Sequence, residues 1–92
     1  KAVQRNQIDK DLKKELQKQK NLFNQLEEKL ARLNRQKTQL EADLASPAVY
    51  NDKNRFQETE SAYKASISEL AKVTTEYESA FEKLMELEER MA

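Results

Sequence analysis

The chain has 92 residues, of which 37% are charged, with 17 basic and 17 acidic side chains and no formal net charge at pH 7. It has no cysteine and no histidine, which excludes disulfides, thiolate metal sites and imidazole chemistry, and fits a reducing compartment such as the cytoplasm. No apolar run approaches the roughly 18 residues of a membrane span, so no membrane partner is expected. The absence of glycine and the single proline, Pro47, indicate two long helices with one break between them.

The first predicted helix covers about residues 4–45. Its apolar residues recur at alternating spacings of four and three, which is typical of a coiled-coil seam. The seam positions are Leu12, Leu16, Gln19, Phe23, Leu26, Leu30, Leu33, Lys37, Leu40 and Leu44. Because the pattern is lost before Leu12, residues 1–8 are expected to form a frayed or free helical start that links to an upstream domain. The start at Lys1 predicts a piece cut from a longer protein.

Residues 46–52 form the predicted turn. Ser46 is expected to cap a short helical turn over 47–50, because Pro47 suits the first position of a helix. Asn51 or Asp52 is expected to cap the second helix. Val49 and Tyr50 are expected to close the end of the seam, and a stacking contact with a ligand is the alternative role for Tyr50.

The second predicted helix covers about residues 53–91 and has a similar seam, which Val73 and Leu87 widen. Its positions are Phe56, Glu60, Tyr63, Ile67, Leu70, Thr74, Tyr77, Phe81, Leu84, Glu88 and Met91. Folding back near residue 50 pairs positions whose numbers sum to about 100, and every pair then contains an apolar residue. The sequence therefore predicts an all-α fold: a two-helix antiparallel coiled-coil hairpin with a short helical turn at the tip, forming one domain over residues 1–92.

The charges are divided unequally along the chain. Residues 1–45 carry 11 basic and 7 acidic residues, whereas residues 46–92 carry 6 basic and 10 acidic residues. Attraction between the helices is one explanation, since Lys13, Lys20 and Lys29 occupy flanking positions that can pair with acids of the second helix. A basic face that meets a polyanion is the other.

Five basic residues occupy outward positions of the first helix, and two more lie at the tip. They are Lys10, Lys14, Lys18, Arg32 and Arg35, followed by Lys53 and Arg55. Such a stripe can contact phosphates along a nucleic acid, although exposed lysines also serve solubility alone. No aromatic residue is interleaved with the stripe, so phosphate-driven binding of weak sequence specificity is expected. No phosphate-binding glycine loop, catalytic base or converging acidic loop is present, so neither an enzyme nor a cofactor or metal site is predicted.

Residues 40–52, which read LEADLASPAVYND, together with Arg55 and Phe56 resemble the tip of the C-terminal domain of ABC-F ATPases. In that family a leucine helix enters a Leu-Ala-Asp/Ser-Pro-x-x-Tyr turn. Residues 78–89 are similar to the family's final helix, and the Lys-rich start is similar to the basic region after its second nucleotide-binding domain. The resemblance implies a cytoplasmic, non-catalytic module that binds DNA or ribosomal RNA through basic residues of the first helix. ATP and magnesium would bind only in the parent protein.

Other interpretations stay open. Many relatives carry tryptophan near Leu84 or Met85 and this chain has none, so the branch of the family and the choice between DNA and ribosomal RNA are undetermined. A structural hairpin that docks a partner protein or the parent ATPase domains is the alternative function, and a weak homodimer is another candidate association. The tRNA-binding arm of seryl-tRNA synthetases has the same hairpin shape, but its turn lacks the Pro-x-x-Tyr pattern.

Overall fold

The computed structural model describes residues 2–91, and the side chains of residues 10–91. The elements are α1 (Ala2–Leu44), α2 (Pro47–Tyr50) and α3 (Lys53–Met91). No β-strand occurs within residues 2–91, which confirms the predicted all-α fold. Residues 2–8 are helical as the first part of α1, which agrees with the free helical start that the sequence predicts. No helix in the described range is long and apolar enough to cross a membrane.

Two compact units make up the chain, and each combines a part of α1 with a part of α3. Unit 1 contains the residues up to Glu27 and those from Thr75 onward, whereas unit 2 contains Glu28–Thr74 and therefore includes α2. In both units the two helices run antiparallel, because later residues of α1 meet earlier residues of α3.

The core of unit 1 is partly aromatic. The rings of Phe23 and Tyr77 stack with their centroids 4.6 Å apart, and Phe81 lies 6.0 Å from Phe23. Phe23 and Tyr77 form one of the pairs that the fold-back register predicts. Gln19 is buried, and its amide donates a hydrogen bond of 3.1 Å to Glu15 Oε1, which satisfies part of its bonding capacity. Among the described side chains of this unit, the buried apolar ones are Leu26, Ala80, Leu84 and Leu87.

The buried residues of unit 2 are aliphatic or small. Leu33, Val49, Ser66 and Val73 are buried, and Val73 has no exposed surface. Unit 2 also contains a salt bridge between the helices, in which Lys29 Nζ lies 3.4 Å from Glu69 Oε1. This contact agrees with the predicted register to within a few positions.

The seam of α1 is confirmed, since all ten of its predicted positions are buried or half-buried. The predicted seam of α3 is only half right. Phe56, Glu60, Tyr63, Leu70, Tyr77 and Leu84 are buried or half-buried as predicted.

From Ile67 onward, the alternate positions of the α3 seam are displaced by one residue. Buried Ser66, Val73, Ala80 and Leu87 replace Ile67, Thr74, Phe81 and Glu88, all four of which are exposed, as is Met91 at the end of the helix. Val73 and Leu87 therefore belong to the core rather than to its margin. Small side chains such as Ser66 and Ala80 allow α1 to approach closely, whereas burying Glu88 without a partner would be costly.

The tip begins as predicted with a helical turn at 47–50. Ser46 occupies the N-cap position, but its side chain makes no capping hydrogen bond. Its carbonyl oxygen instead accepts bonds of 3.0 Å from the N–H groups of Val49 and Tyr50. Val49 is buried, whereas Tyr50 is 52% exposed. Val49 alone therefore closes the core, and the prediction that Tyr50 does so is wrong.

Asp52 is the residue that caps α3. Its Oδ1 accepts hydrogen bonds from the N–H groups of Asn54 at 3.1 Å and Arg55 at 3.2 Å. Its carbonyl oxygen accepts a further bond of 2.8 Å from Phe56. Asn51 instead ends α2, where its N–H donates to Pro47 O at 3.0 Å.

Candidate nucleic-acid interface

The clearest basic feature is a row of three lysines on α1 in unit 1. Lys10, Lys14 and Lys18 follow one another at intervals of four residues, and all three are exposed. Residues four apart lie on the same side of an α-helix, and at about 1.5 Å per residue the row is about 12 Å long. We call these three residues the lysine row.

Two amide side chains accompany the lysine row. Gln17 Nε2 donates a hydrogen bond of 3.0 Å to Asn21 Oδ1, and both residues are exposed. Both lie three or four residues from Lys14 or Lys18 and therefore share their face. Amide groups commonly hydrogen-bond to phosphate oxygens. The sequence interpretation missed this pair, although its spacing from the lysines is the signal that identifies it.

In unit 2, α1 contributes two of the candidate basic residues. Arg32 and Arg35 are exposed and one turn apart. Arg35 borders a shallow groove of about 340 Å³ that is also lined by Asn34, Thr38, Gln39 and Ala42. Exposed Glu28 lies one turn before Arg32 on the same face, as exposed Asp11 lies three residues before Lys14 in the lysine row, so the two regions differ in having two cations rather than three.

The tip contributes two further cations. Lys53 and Arg55 are exposed in the first turn of α3. The nearby Asp52 carboxylate is held against the backbone N–H groups that it caps. The excess of positive charge at the tip is therefore only one unit, and the tip is a weaker candidate than the lysine row.

Ion pairing separates the basic residues into two groups. Lys29 is half-buried and pairs across the helices with Glu69, and Lys64 pairs with Glu60 within α3 at 3.3 Å. None of the seven candidate residues forms an ion pair with another residue of the described range 10–91. Attraction between the helices is thus confirmed for Lys29. Lys13 and Lys20 are exposed and form no ion pair within the same range.

Two tyrosine hydroxyls on α3 donate hydrogen bonds to carboxylates on α1. Tyr63 Oη donates a hydrogen bond of 2.9 Å to Glu41 Oε2, and this bond is the main cause that raises the pKa of Tyr63 above 10.0, followed by partial desolvation and the carboxylate charge. Desolvation is the first cause that raises the pKa of Tyr77, before the charge of Glu27 and a long hydrogen bond of 3.5 Å. Both hydroxyls are therefore neutral donors at neutral pH, and their role is structural.

The acidic residues show no arrangement for metal binding. Within the part of the chain that the structure describes, no three histidine, cysteine, aspartate or glutamate side chains lie together in a way that could hold a metal ion. The described surface therefore offers exposed cations, dispersed carboxylates, amides and apolar side chains.

Comparison with known families covers both helices and the tip. The family model of the ABC transporter C-terminal domain matches residues 13–91. Comparisons with curated proteins and with solved structures returned no match. Since the match extends over most of the 92 residues, the chain belongs to the ABC transporter C-terminal domain family.

Proposed function

We propose that the chain is a non-catalytic, nucleic-acid-binding coiled-coil module of an ABC-F ATPase, with DNA or ribosomal RNA as its ligand. Membership of the ABC transporter C-terminal domain family supports attachment to a parent that binds ATP and magnesium. The Ala-Ser-Pro-x-x-Tyr turn at residues 45–50 supports the ABC-F branch. The parent would act in the cytoplasm, and no cofactor is assigned to this chain.

The observation that carries the proposal is the exposed lysine row, which has no carboxylate partner within residues 10–91. Its length of about 12 Å compares with about 3.4 Å of helix axis per phosphate on each strand of a duplex, so the row can follow several phosphates of one strand. The helix fixes the spacing of the lysine backbones in advance, which lowers the entropy lost on binding.

The proposed contact is electrostatic and largely independent of sequence. Each lysine that neutralises a phosphate releases condensed counterions, so affinity depends steeply on salt concentration. Gln17 and Asn21 can exchange their mutual hydrogen bond for bonds to phosphate oxygens. The lysine row contains no aromatic residue on which a base could stack.

The test is fluorescence anisotropy of labelled duplex DNA, single-stranded DNA and structured RNA between about 50 and 200 mM salt. The variant K10Q/K14Q/K18Q removes the lysine row. The matched control K64Q/K72Q/K83Q removes three exposed lysines of α3 and changes the net charge equally. We expect the slope of log K against log salt concentration to become shallower by about 0.9 for each phosphate contact that the first variant loses on a duplex. The control should bind like the wild type.

Two results would overturn the proposal. One is an absence of binding by the wild type at the lowest salt concentration. The other is an equal loss of affinity in both triple variants, which would show that net charge matters and the lysine row does not. Circular dichroism of each variant establishes that the helices are intact.

The alternative function is a structural hairpin that docks a partner protein or the parent ATPase domains. Exposed Phe81 and Met85 in unit 1 favour a role in protein association. Under this alternative, removing the lysine row leaves association unchanged, whereas substitution of Phe81 weakens it.

A further inference from the structure

Unit 1 presents an apolar cluster on one side of its helix pair. Phe81 is 48% exposed and Met85 is 44% exposed, and the two are one turn apart on α3. Tyr77, one turn earlier, lines an open groove of about 470 Å³ together with Glu78, Phe81 and Glu82. We call this surface, with Phe23 beneath it, the aromatic edge. Contiguous exposed apolar groups of this kind mark association surfaces more often than isolated ones do.

The rings of the aromatic edge pack against one another within a single copy of the chain. Phe23 is half-buried and stacks on Tyr77 at an interplanar angle of 25°. Its ring centroid also lies 6.0 Å from that of Phe81, at an angle of 40°. Because Phe81 is held against Phe23, a contact with its exposed side would cost little side-chain entropy. The aromatic edge is therefore a preorganised surface.

The aromatic edge carries charges of both signs. Glu78 and Glu82 border the groove on α3. On α1, Lys20 and Glu27 are seven residues apart and share one face. The Tyr77 hydroxyl reaches Glu27, which places that face beside the aromatic edge. Lys20 is exposed and forms no ion pair within residues 10–91. One surface thus combines an apolar centre with acids on α3 and a lysine on α1.

The surrounding charge identifies the kind of partner that fits. Residues 75–91 carry six acidic and two basic side chains, which repel a nucleic acid. On the face of α1 beside the aromatic edge, Lys20 is the exposed cation and Glu27 accepts the hydrogen bond from Tyr77. Lys20 is therefore the group of α1 that complements Glu78 and Glu82 of α3. A second copy of the chain supplies both the complementary helix and the apolar surface.

We propose that two copies associate through their aromatic edges around a twofold axis parallel to the helices. This operation places α1 of one copy on α3 of the other, so neighbouring helices remain antiparallel, as in a four-helix bundle. Phe81 and Met85 of the two copies form the centre. Lys20 of each copy faces Glu78 and Glu82 of the other. The lysine row is not part of this surface, so nucleic-acid binding and self-association are tested by different variants.

The first test is sedimentation equilibrium of the purified chain over micromolar to millimolar concentrations. We expect a reversible monomer–dimer equilibrium, and we expect F81E to weaken it by at least about tenfold, since a central aromatic residue is a typical energetic centre of an interface. The matched control is I67E, which places the same charge at an exposed apolar position of unit 2 and should associate like the wild type. A wild-type chain that stays monomeric throughout, or an F81E variant that dimerises normally, would overturn the proposal.

A charge exchange provides a second test that does not alter the apolar centre. K20E and E78K/E82K each place like charges opposite one another in their own dimers, so each should associate more weakly than the wild type. Mixing the two variants restores opposite charges at both contacts and should produce a heterodimer at nearly wild-type affinity. Failure of the mixture to associate more strongly than either variant alone would refute the proposed orientation of the two copies.

Discussion

The hydroxyl of Tyr63 donates a hydrogen bond of 2.9 Å to Glu41 Oε2 and so connects α3 to α1 across a separation of 22 residues. The bond requires a protonated hydroxyl, since only the O–H form of tyrosine can donate. It is the largest cause of the rise in the pKa of Tyr63 above 10.0.

This relationship predicts a loss of stability in alkaline solution. Because the pKa of Tyr63 is higher in the folded state than in the unfolded state, the stabilisation is complete below 10.0 and is lost as the pH rises through the folded value. Tyr63→Phe should therefore be less stable than the wild type at neutral pH, with a difference that shrinks at alkaline pH. Urea unfolding across this range measures the effect. A difference that stays constant with pH would contradict the assignment.

The cap of α3 predicts an unequal response at two neighbouring polar residues. Asp52→Ala removes the acceptor of two backbone hydrogen bonds and should cost about 1 kcal/mol, whereas Asp52→Asn should retain most of the cap. Ser46→Ala should have a smaller effect, because the Ser46 side chain makes no capping bond. Urea denaturation of the three variants compares them directly. Equal losses for Asp52→Ala and Ser46→Ala would show that the cap is not what stabilises the tip.

The displaced seam of α3 predicts different costs at two aliphatic residues. Val73 is fully buried and Ile67 is 42% exposed. Val73→Ala should destabilise the chain by about 2 kcal/mol through lost burial and a residual cavity. Ile67→Ala should cost less than about 1 kcal/mol, although it removes more atoms. Thermal and urea unfolding measure the loss of unfolding free energy in each variant. A larger loss for Ile67→Ala than for Val73→Ala would contradict the displaced seam and favour the seam that the sequence predicts.

Ser66 predicts a stabilising substitution. Its hydroxyl oxygen is buried and has no hydrogen-bond partner among the described residues. Ser66→Ala removes the unsatisfied group and improves helix propensity, so the free energy of unfolding should be unchanged or rise by up to about 1 kcal/mol. Ser66→Val tests the space around the site, since a larger side chain there should disturb the close approach of the helices. A clear loss of stability in Ser66→Ala would indicate a hidden partner for the hydroxyl.

We expect the two cations at the tip to contribute less to nucleic-acid binding than the lysine row does. K53Q/R55Q removes two exposed cations beside the Asp52 carboxylate. The salt slope for duplex binding should fall by less than about 1.8, the value for two full phosphate contacts. Anisotropy titrations at several salt concentrations measure this slope. A tip variant that abolishes binding while K10Q/K14Q/K18Q does not would move the interface from α1 to the tip.

The sequence predicts α1 better than α3 for a physical reason. Leucine dominates a single row of α1, so the 3.5-residue period has one solution. On α3, Ile67 and Phe81 compete with Val73 and Leu87 for the same side of the helix. The choice depends on how closely the helices approach, and small Ser66 and Ala80 decide it without leaving a hydrophobic signal of their own.

The candidate interface was predictable in its residues but not in its surroundings. Helical spacing alone predicts that Lys10, Lys14 and Lys18 point outward, and all three are exposed. The pairing of Lys29 with Glu69 depends on the register of one helix against the other. The exposure of Phe81 follows from the displaced seam, so sequence periodicity could not reveal the aromatic edge.

The position of the tip also determines the order in which contacts are expected to form during folding. Glu41 and Tyr63 are separated by 22 residues, whereas Glu27 and Tyr77 are separated by 50. Each contact made near α2 shortens the loop that the next contact must close. The conformational entropy lost on closing each successive loop is therefore small. We expect the chain to fold as a zipper that starts at the tip, with a fast rate because early contacts are local. A pulling force applied to the two chain ends should open the same contacts in the reverse order.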